Sequence, residues 1–230
     1  MTELPSSLRG RVLVAGAGVS GRGCVAMLAS LGVDTTVADS NETALAELAE
    51  EFGVATVSVD SAAQGEFDLV VTSPGWRPDS PLLVALQDAG VEVIGDVELA
   101  YRLDRAGVFG APRTWLVVTG TNGKTTTTGM LAQIMQADAE RTGKRALAVG
   151  NIGVSLFDAL TATPRVDVLC AELSSFQLHW SSHVRPDVGV LLNLADDHLD
   201  WHGSFDAYAR AKAKVLSGEV AVVGLSRIHI

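Results

Sequence analysis

The sequence predicts an α/β fold with two parallel sheets in succession, and three observations carry that expectation. Short Val-, Ala- and Leu-rich runs alternate with stretches of helical periodicity along the whole chain, the pattern of parallel strands covered by helices on both faces. A glycine-rich loop follows a strand-like run twice, at Gly16–Gly21 and at Gly120–Thr126. The 230 residues suffice for two small domains, and 47% apolar residues with 23 glycines and only 5% aromatics suit Val- and Ala-rich cores of this kind.

In the first series, Val12–Ala15, Thr35–Ala38, Leu69–Thr72 and Val91–Ile94 read as buried strands. Gly21–Leu31, Glu42–Phe52 and Pro81–Ala89 read as the helices between them, and Asp96–Leu103 as a closing helix. Two glycines and a proline within Asp104–Arg113 mark a boundary, which divides the chain into domains 1–108 and 109–230. In the second series the expected strands are Leu116–Thr119, Ala146–Val149, Val168–Glu172, Val188–Leu192 and Val220–Val223. The expected helix Thr125–Met135 carries Met130, Leu131 and Ile134 on its inner face. The first domain is thus expected to be Rossmann-like, and the second a P-loop-type α/β domain that is incomplete at its C-terminal end.

Charge and composition exclude several classes. A net charge of −10 argues against a general nucleic-acid binder, which needs basic patches, so an anionic ligand must be held locally by backbone N–H groups and a few lysines. Cys24 and Cys170 stand alone in apolar surroundings and read as buried reduced thiols. The N-terminal segment has no apolar core of signal-peptide length, and no run approaches the ~18 apolar residues of a membrane span. A cytoplasmic protein without membrane insertion is expected.

Gly16-Ala17-Gly18-Val19-Ser20-Gly21 follows the first strand and opens a helix. Its glycines let the backbone approach a diphosphate, and the helix N-terminus offers free N–H groups. Asp39 ends the second strand near the spacing of an acid that binds a ribose hydroxyl. Alone these residues suggest a nicotinamide-dependent oxidoreductase; other nucleoside diphosphates use the same geometry, and close helix–strand packing is the lesser alternative. Ser73-Pro74-Gly75 lies at the same sheet edge, as a second ligand element or an ordinary turn.

Gly120-Thr121-Asn122-Gly123-Lys124-Thr125-Thr126 is the stronger signal. The backbone of such a loop cradles phosphates, Lys124 neutralises their outer oxygens, and the Thr125 hydroxyl ligates Mg²⁺. ATP and Mg²⁺ are therefore the expected cofactors. Val118 stands where the general pattern has its first glycine.

This displaced loop resembles that of the Mur ligases and the related folylpolyglutamate synthase. Further motifs follow in order: Gly150-Asn151-Ile152-Gly153, Glu172-Leu173-Ser174-Ser175-Phe176-Gln177-Leu178, Asn193-Leu194-Ala195-Asp196-Asp197-His198-Leu199-Asp200, and Tyr208-Ala209-Arg210-Ala211-Lys212. The second of these is similar to the D-glutamate-adding branch of the family. The resemblance implies that Glu172 is a Mg²⁺ ligand, that His198 binds a second metal ion, and that Lys212 is carbamylated to supply it with oxygen ligands. It implies that Asn151 lies near the reacting substrate carboxylate. It also assigns Gly18, Val19, Ser20, Gly21, Asp39, Ser40, Ser73, Pro74 and Gly75 to a uridine diphosphate. Read alone, Glu172 is a solvated strand-end acid and Lys212 a solvated helix lysine. His179, His183 and His202 match no role and read as surface residues.

The reaction so implied joins D-glutamate to UDP-N-acetylmuramoyl-L-alanine through an acyl phosphate made with ATP, a step of peptidoglycan synthesis. Relatives of this kind have a third domain that helps to bind the amino acid. The segment Gly224–Ile230 resembles nothing in the family. The expectation is a truncated chain that binds its nucleotides but does not ligate by itself. Another Mur-type ligase and a non-catalytic nucleotide-binding fragment stay open as alternatives.

Overall fold

The computed structural model describes residues 4–224, which form two compact units, one ending at Val108 and the other beginning at Phe109. In the first unit the chain runs β1 (Val12–Ala15), α1 (Val19–Ser30), β2 (Thr35–Ala38), α2 (Glu42–Phe52), β3 (Ala55–Val57) and α3 (Val59–Ala62). It continues through β4 (Leu69–Thr72), α4 (Pro81–Asp88), β5 (Glu92–Gly95) and α5 (Asp96–Arg105). The strands form a parallel sheet in the order β3-β2-β1-β4-β5. Every residue of β1, β2 and β4 is buried, because crossover helices leave a parallel sheet no wet face. The chain reverses its direction of strand addition between β1 and β4, so the loops after those strands meet at the crevice where ligands of such sheets bind.

In the second unit the order is β6 (Thr114–Thr119), α6 (Lys124–Ala137), α7 (Ala139–Thr142), β7 (Ala146–Gly150), α8 (Leu156–Thr161) and β8 (Val168–Glu172). Then come α9 (Ser175–His179), β9 (Val188–Leu191), α10 (Leu199–His202), α11 (Phe205–Ala213) and β10 (Val220–Val223). This sheet is also parallel, in the order β10-β9-β6-β8-β7. The central strand β6 delivers the phosphate-type loop between the ends of β8 and β9.

The ends of the elements follow local chemistry. Asn41 caps α2 by accepting from the Ala44 N–H, and Gly53 stops it in the left-handed conformation. The strand–helix pair β3–α3 lies outside the sequence expectation. The strand has only three residues, none of them buried, so it carries no core pattern. Its neighbour α3 is four residues started by the Ser58 side chain, which accepts from the Ser61 N–H.

The rotation of α6 corrects the sequence reading. Met130 and Ile134 are 58% and 63% exposed. The buried residues are Thr128 and Ala132, and Leu131 and Met135 pack with Ala132 against Ala146, Val168 and Cys170. These positions follow an i, i+3, i+4, i+7 stripe. A search for large apolar residues picks the wrong face here, because small residues line the inner one and Thr128 is polar. Strand β10 is present, with its side chains exposed at the sheet edge. The Ser226–Ile230 tail lies outside the described residues.

Both cysteines are free and buried. Among the described residues no helix is long and apolar enough to cross a membrane.

The α6 correction is testable by urea unfolding of the second unit, followed by the emission of Trp115, Trp180 and Trp201. Ile134→Gln should change stability by no more than about 0.5 kcal/mol. Leu169→Ala, at a fully buried position of β8, should cost about 2–5 kcal/mol. Equal losses would mean that Ile134 faces the sheet.

Candidate functional site

The loop between β6 and α6 is held from two sides. Gly123, left-handed at φ 83°, turns the chain into α6, and Lys124 is the first helical residue. From the end of β9, Asn193 Oδ1 accepts from the Asn122 N–H at 2.9 Å, and Asn193 Nδ2 donates to the Asn122 carbonyl at 3.0 Å. The Thr121 N–H donates to the Asn193 carbonyl at 3.1 Å. From α11, the buried Tyr208 places its hydroxyl 2.7 Å from Thr121 Oγ1, which also accepts from the Ala195 N–H at 2.9 Å. The loop is thus shaped by its neighbours, and its helix end offers unpaired N–H groups to an anion. Thr125 and Thr126 are exposed there. Lys124 is folded back, its Nζ donating to the Thr121 carbonyl at 2.9 Å.

Two buried charged side chains flank this loop. Glu172 ends β8 and pairs in register with Val118 of β6. It is 1% exposed. Its Oε1 accepts from Asn151 Nδ2 at 2.8 Å, while Oε2 is buried without a partner. An orphaned carboxylate oxygen is costly, and this one calls for a cation. Lys212 is 2% exposed. Its Nζ donates to the Gly120 carbonyl at 2.8 Å, lies 3.4 Å from Thr119 Oγ1, and stands 4.9 Å from the centre of the Tyr208 ring. Burial and the nearby Lys124 charge push its pKa down to about 7, against the opposing pull of Asp197 and Glu172. A neutral amine is therefore accessible near neutral pH.

Asn151 and Glu172 are thus brought together, and Lys212 reaches the backbone of the same loop. His198 is held by other contacts. It is exposed, left-handed at φ 52°, 3.4 Å from Asp197 Oδ2, and its ring centre is 4.7 Å from that of Phe176. Two other histidines correct the surface reading. His179 and His202 sit half-buried in a cluster with Phe176, Trp180 and Trp201, and burial lowers the pKa of each to about 4. Both ring nitrogens of His202 are buried without partners. His183 is exposed, as expected. Asn193 and Tyr208 lay inside quoted motifs without a role; nothing short of three-dimensional contact marks them as supports of the loop.

The first unit carries its own constellation at the carboxyl ends of β1, β2 and β4. Asp39 ties two loops together: Oδ2 accepts from the Ala17 N–H at 2.7 Å and Oδ1 from the Asn41 N–H at 2.8 Å. Oδ1 also accepts from the Ser40 hydroxyl at 3.5 Å, and Oδ2 retains a lone pair for a further donor. A cavity of about 550 Å³ opens beside it, lined among others by Ser40, Leu45, Thr56 and Ser58. Gly18 and Val19 project from the loop, Val19 being 94% exposed. Ser20 hydrogen-bonds Asp96, a residue the motifs do not include. Burial raises the Asp96 pKa to about 6, against bonds from the Val97 N–H and the Ser20 hydroxyl. Ser73 follows β4 with its hydroxyl buried and unpartnered. Pro74 and Gly75 continue that turn.

Comparison with known proteins agrees with this geometry. Residues 10–95 match the family model of the Mur ligase MurD-like N-terminal domain, and residues 118–223 match that of the Mur ligase middle domain. The chain belongs to the Mur ligase family. Among Mur ligase relatives, the UDP-N-acetylmuramoylalanine–D-glutamate ligase of Corynebacterium diphtheriae is 64% identical over 226 residues, covering 97% of this chain and 47% of that protein. The enzyme of the same name from Rhodococcus jostii is 56% identical, covering 95% and 44%. The chain therefore spans about half the length of the curated relatives it matches. Among solved structures, a UDP-N-acetylmuramate:L-alanyl-γ-D-glutamyl-meso-diaminopimelate ligase from Neisseria meningitidis aligns over 95% of this chain and 72% of its own. Its TM-score is 0.54 at 18% identity. The UDP-N-acetylmuramate–alanine ligase of Thermotoga maritima aligns over 95% and 50%, with a TM-score of 0.50 at 23% identity. These two likenesses support the Mur ligase fold.

The shifted pKa values give the two Mur ligase units opposite responses to pH. Asp96 titrates near 6 when folded and near 3.8 when free. Its contribution to the first unit is full below about 3.8 and is lost as pH rises through 6. His179 and His202 titrate near 4 when folded and near 6.5 when free. Their contribution to the second unit is full above about 6.5 and is lost as pH falls through 4. From pH 6.5 to 4.5 the second unit should lose stability while Asp96 favours the first. Urea unfolding resolved by NMR checks this. Asp96→Asn should flatten the profile of the first unit alone, and His202→Gln that of the second.

Proposed function

We propose that the two domains form the nucleotide-binding half of an ATP-dependent ligase. Its reaction adds D-glutamate to UDP-N-acetylmuramoyl-L-alanine in the cytoplasm during peptidoglycan synthesis. The observation that carries this reading is the pairing of an orphaned, buried Glu172 oxygen with a buried Lys212 on either side of a phosphate-type loop. A phosphate loop alone would need neither.

ATP is the phosphoryl donor in this reading, with its phosphates on the N–H groups of Gly120–Thr126. Lys124 exchanges the Thr121 carbonyl for the outer phosphate oxygens. The donors near the loop suit a hard cation: a free carboxylate oxygen on Glu172 and the exposed hydroxyl of Thr125. They would hold Mg²⁺, which when bound neutralises phosphate charge. Lys212 suits carbamylation, because an amine with a pKa near 7 presents a lone pair to CO₂. A C–N bond then forms, one proton leaves the nitrogen, and the neutral amine becomes a carbamate anion with two oxygens. His198 would complete a second metal position with those oxygens.

The chemistry has two steps. The carboxylate of the UDP substrate attacks the γ-phosphorus of ATP and ADP leaves, giving an acyl phosphate. The amine of D-glutamate then attacks the acyl carbon, inorganic phosphate departs, and the nitrogen loses its proton. Asn151 keeps Glu172 oriented through its amide N–H and stands at the substrate carboxylate. The protein supplies orientation and charge compensation rather than a covalent group.

Binding is tested on the 230-residue chain by calorimetry. ATP with Mg²⁺ and UDP should each saturate, while NAD(P)H should not bind. Lys124→Ala removes a charged donor worth about 1.5–3 kcal/mol, so ATP affinity should fall by about one to two orders of magnitude. Unchanged affinity would remove Lys124 from the phosphate site.

Turnover is tested on a chain of the relatives' full length. Mass spectrometry should find the dipeptide product with D-glutamate and not with L-alanine, glycine or L-lysine. Lys212→Ala should abolish product formation, and short carboxylic acids should restore part of it by supplying the missing oxygens. Full activity of the variant without additive would refute the carbamate.

A further inference from the structure

The turn that begins at Ser73 closes at Trp76, whose N–H donates to the Ser73 carbonyl at 3.1 Å. The Ser73 N–H donates to the Ala15 carbonyl at 3.0 Å, so the turn starts flush with the end of β1. Its geometry brings two side chains against one backbone atom. A Cβ built on Gly16, whose φ is +109°, would stand 2.6 Å from Ser73 Oγ and 3.0 Å from Trp76 Nε1. Glycine at this position therefore makes room for these two groups as well as permitting the loop conformation.

Both groups are donors without a protein acceptor. Ser73 Oγ is buried and unpartnered, and the indole N–H of the half-buried Trp76 has no hydrogen-bond partner among the described residues. An indole nitrogen can only donate, so what it lacks is an oxygen. The surroundings favour an anionic one, since the same loop opens α1 with its free N–H groups. The loop is open at Gly18. A Cβ on Gly18 would meet nothing within 4 Å, whereas the Gly16 side is closed by Ser73 and Trp76.

We propose that Trp76 is a binding residue for the diphosphate of the nucleotide substrate, its indole N–H donating to a phosphate oxygen beside the Ser73 hydroxyl. This rests on the reading of the first unit as a UDP-substrate domain. A purely packing role would explain the position of the ring, but not an indole N–H without a protein acceptor set beside the buried, unpartnered Ser73 hydroxyl.

The test uses the 230-residue chain, with UDP and uridine as probes, at pH 8. In Trp76→Phe, which keeps an aromatic ring and loses the donor, UDP affinity measured by calorimetry should fall about tenfold or more. Uridine, which has no phosphate, should bind wild type and variant alike. Trp76→His supplies a neutral ring N–H at this pH and should recover most of the loss. UDP should also change the emission of the wild type but not of Trp76→Phe, because Trp115, Trp180 and Trp201 all lie in the other unit. Equal UDP affinity in wild type and Trp76→Phe would overturn the proposal and leave the UDP reading standing. Parallel losses for UDP and uridine would also overturn it, as packing alone. Failure of the wild type to bind UDP would overturn both. If Trp76→Phe does not fold, the wild type decides: saturation by calorimetry without any change in emission would overturn the proposal.

Discussion

The backbone carbonyl of Gly120 accepts a hydrogen bond from a buried ammonium, and the second unit is organised around that contact. Lys212 reaches the carbonyl from α11, a helix anchored to the same loop through the Tyr208 hydroxyl on Thr121. An ammonium out of water is expensive unless its donors are used. The chain meets that demand with the loop itself and with the face of the Tyr208 ring. The loop is thereby braced before any phosphate arrives. The remaining cost depresses the Lys212 pKa and makes its nitrogen reactive. Structure and proposed chemistry share one source here: the group that shapes the loop is also the group that the proposed reaction would use in altered form.

Parallel pairing explains why the partners converge. Because β6, β8 and β9 run the same way, their carboxyl ends lie side by side. Registers such as Val118 with Glu172 and Thr119 with Leu191 set a carboxylate and the Asn193 amide on either side of one loop. The first unit repeats the logic with β1, β2 and β4, where Asp39 ties the glycine loop to the end of the neighbouring strand. In both units the candidate site residues are the ones just past a strand, so sheet order determines which loops can cooperate.

Much of this was legible in the sequence, and the failures have a common cause. Buried parallel strands advertise themselves as apolar runs, which is why β1, β2, β4 and β8 begin and end where the pattern does. The glycine loops are equally visible, because a tight strand-to-helix turn of this kind restricts both residue type and spacing. What stays hidden depends on contact between distant segments. The rotation of α6 is set by the small Ala132 and the polar Thr128 against β7 and β8, not by its largest residues. His179 and His202 pack among aromatics from separate short helices, and no periodicity links them. Asp96 serves the glycine loop from a helix some 76 residues further along the chain. Trp76 stands one residue beyond the last position of its motif.

The two cysteines have a practical consequence. Cys24 lies in the first unit and Cys170 in the second, each buried, and burial raises the pKa of both thiols. Thiol chemistry needs an exposed thiolate, so neither sulfur reacts until its own sheet or helix opens. The molecule therefore carries one internal clock per unit. The rate at which a disulfide reagent consumes each sulfur counts opening events there, and a nucleotide that tightens one unit would slow one clock and leave the other running.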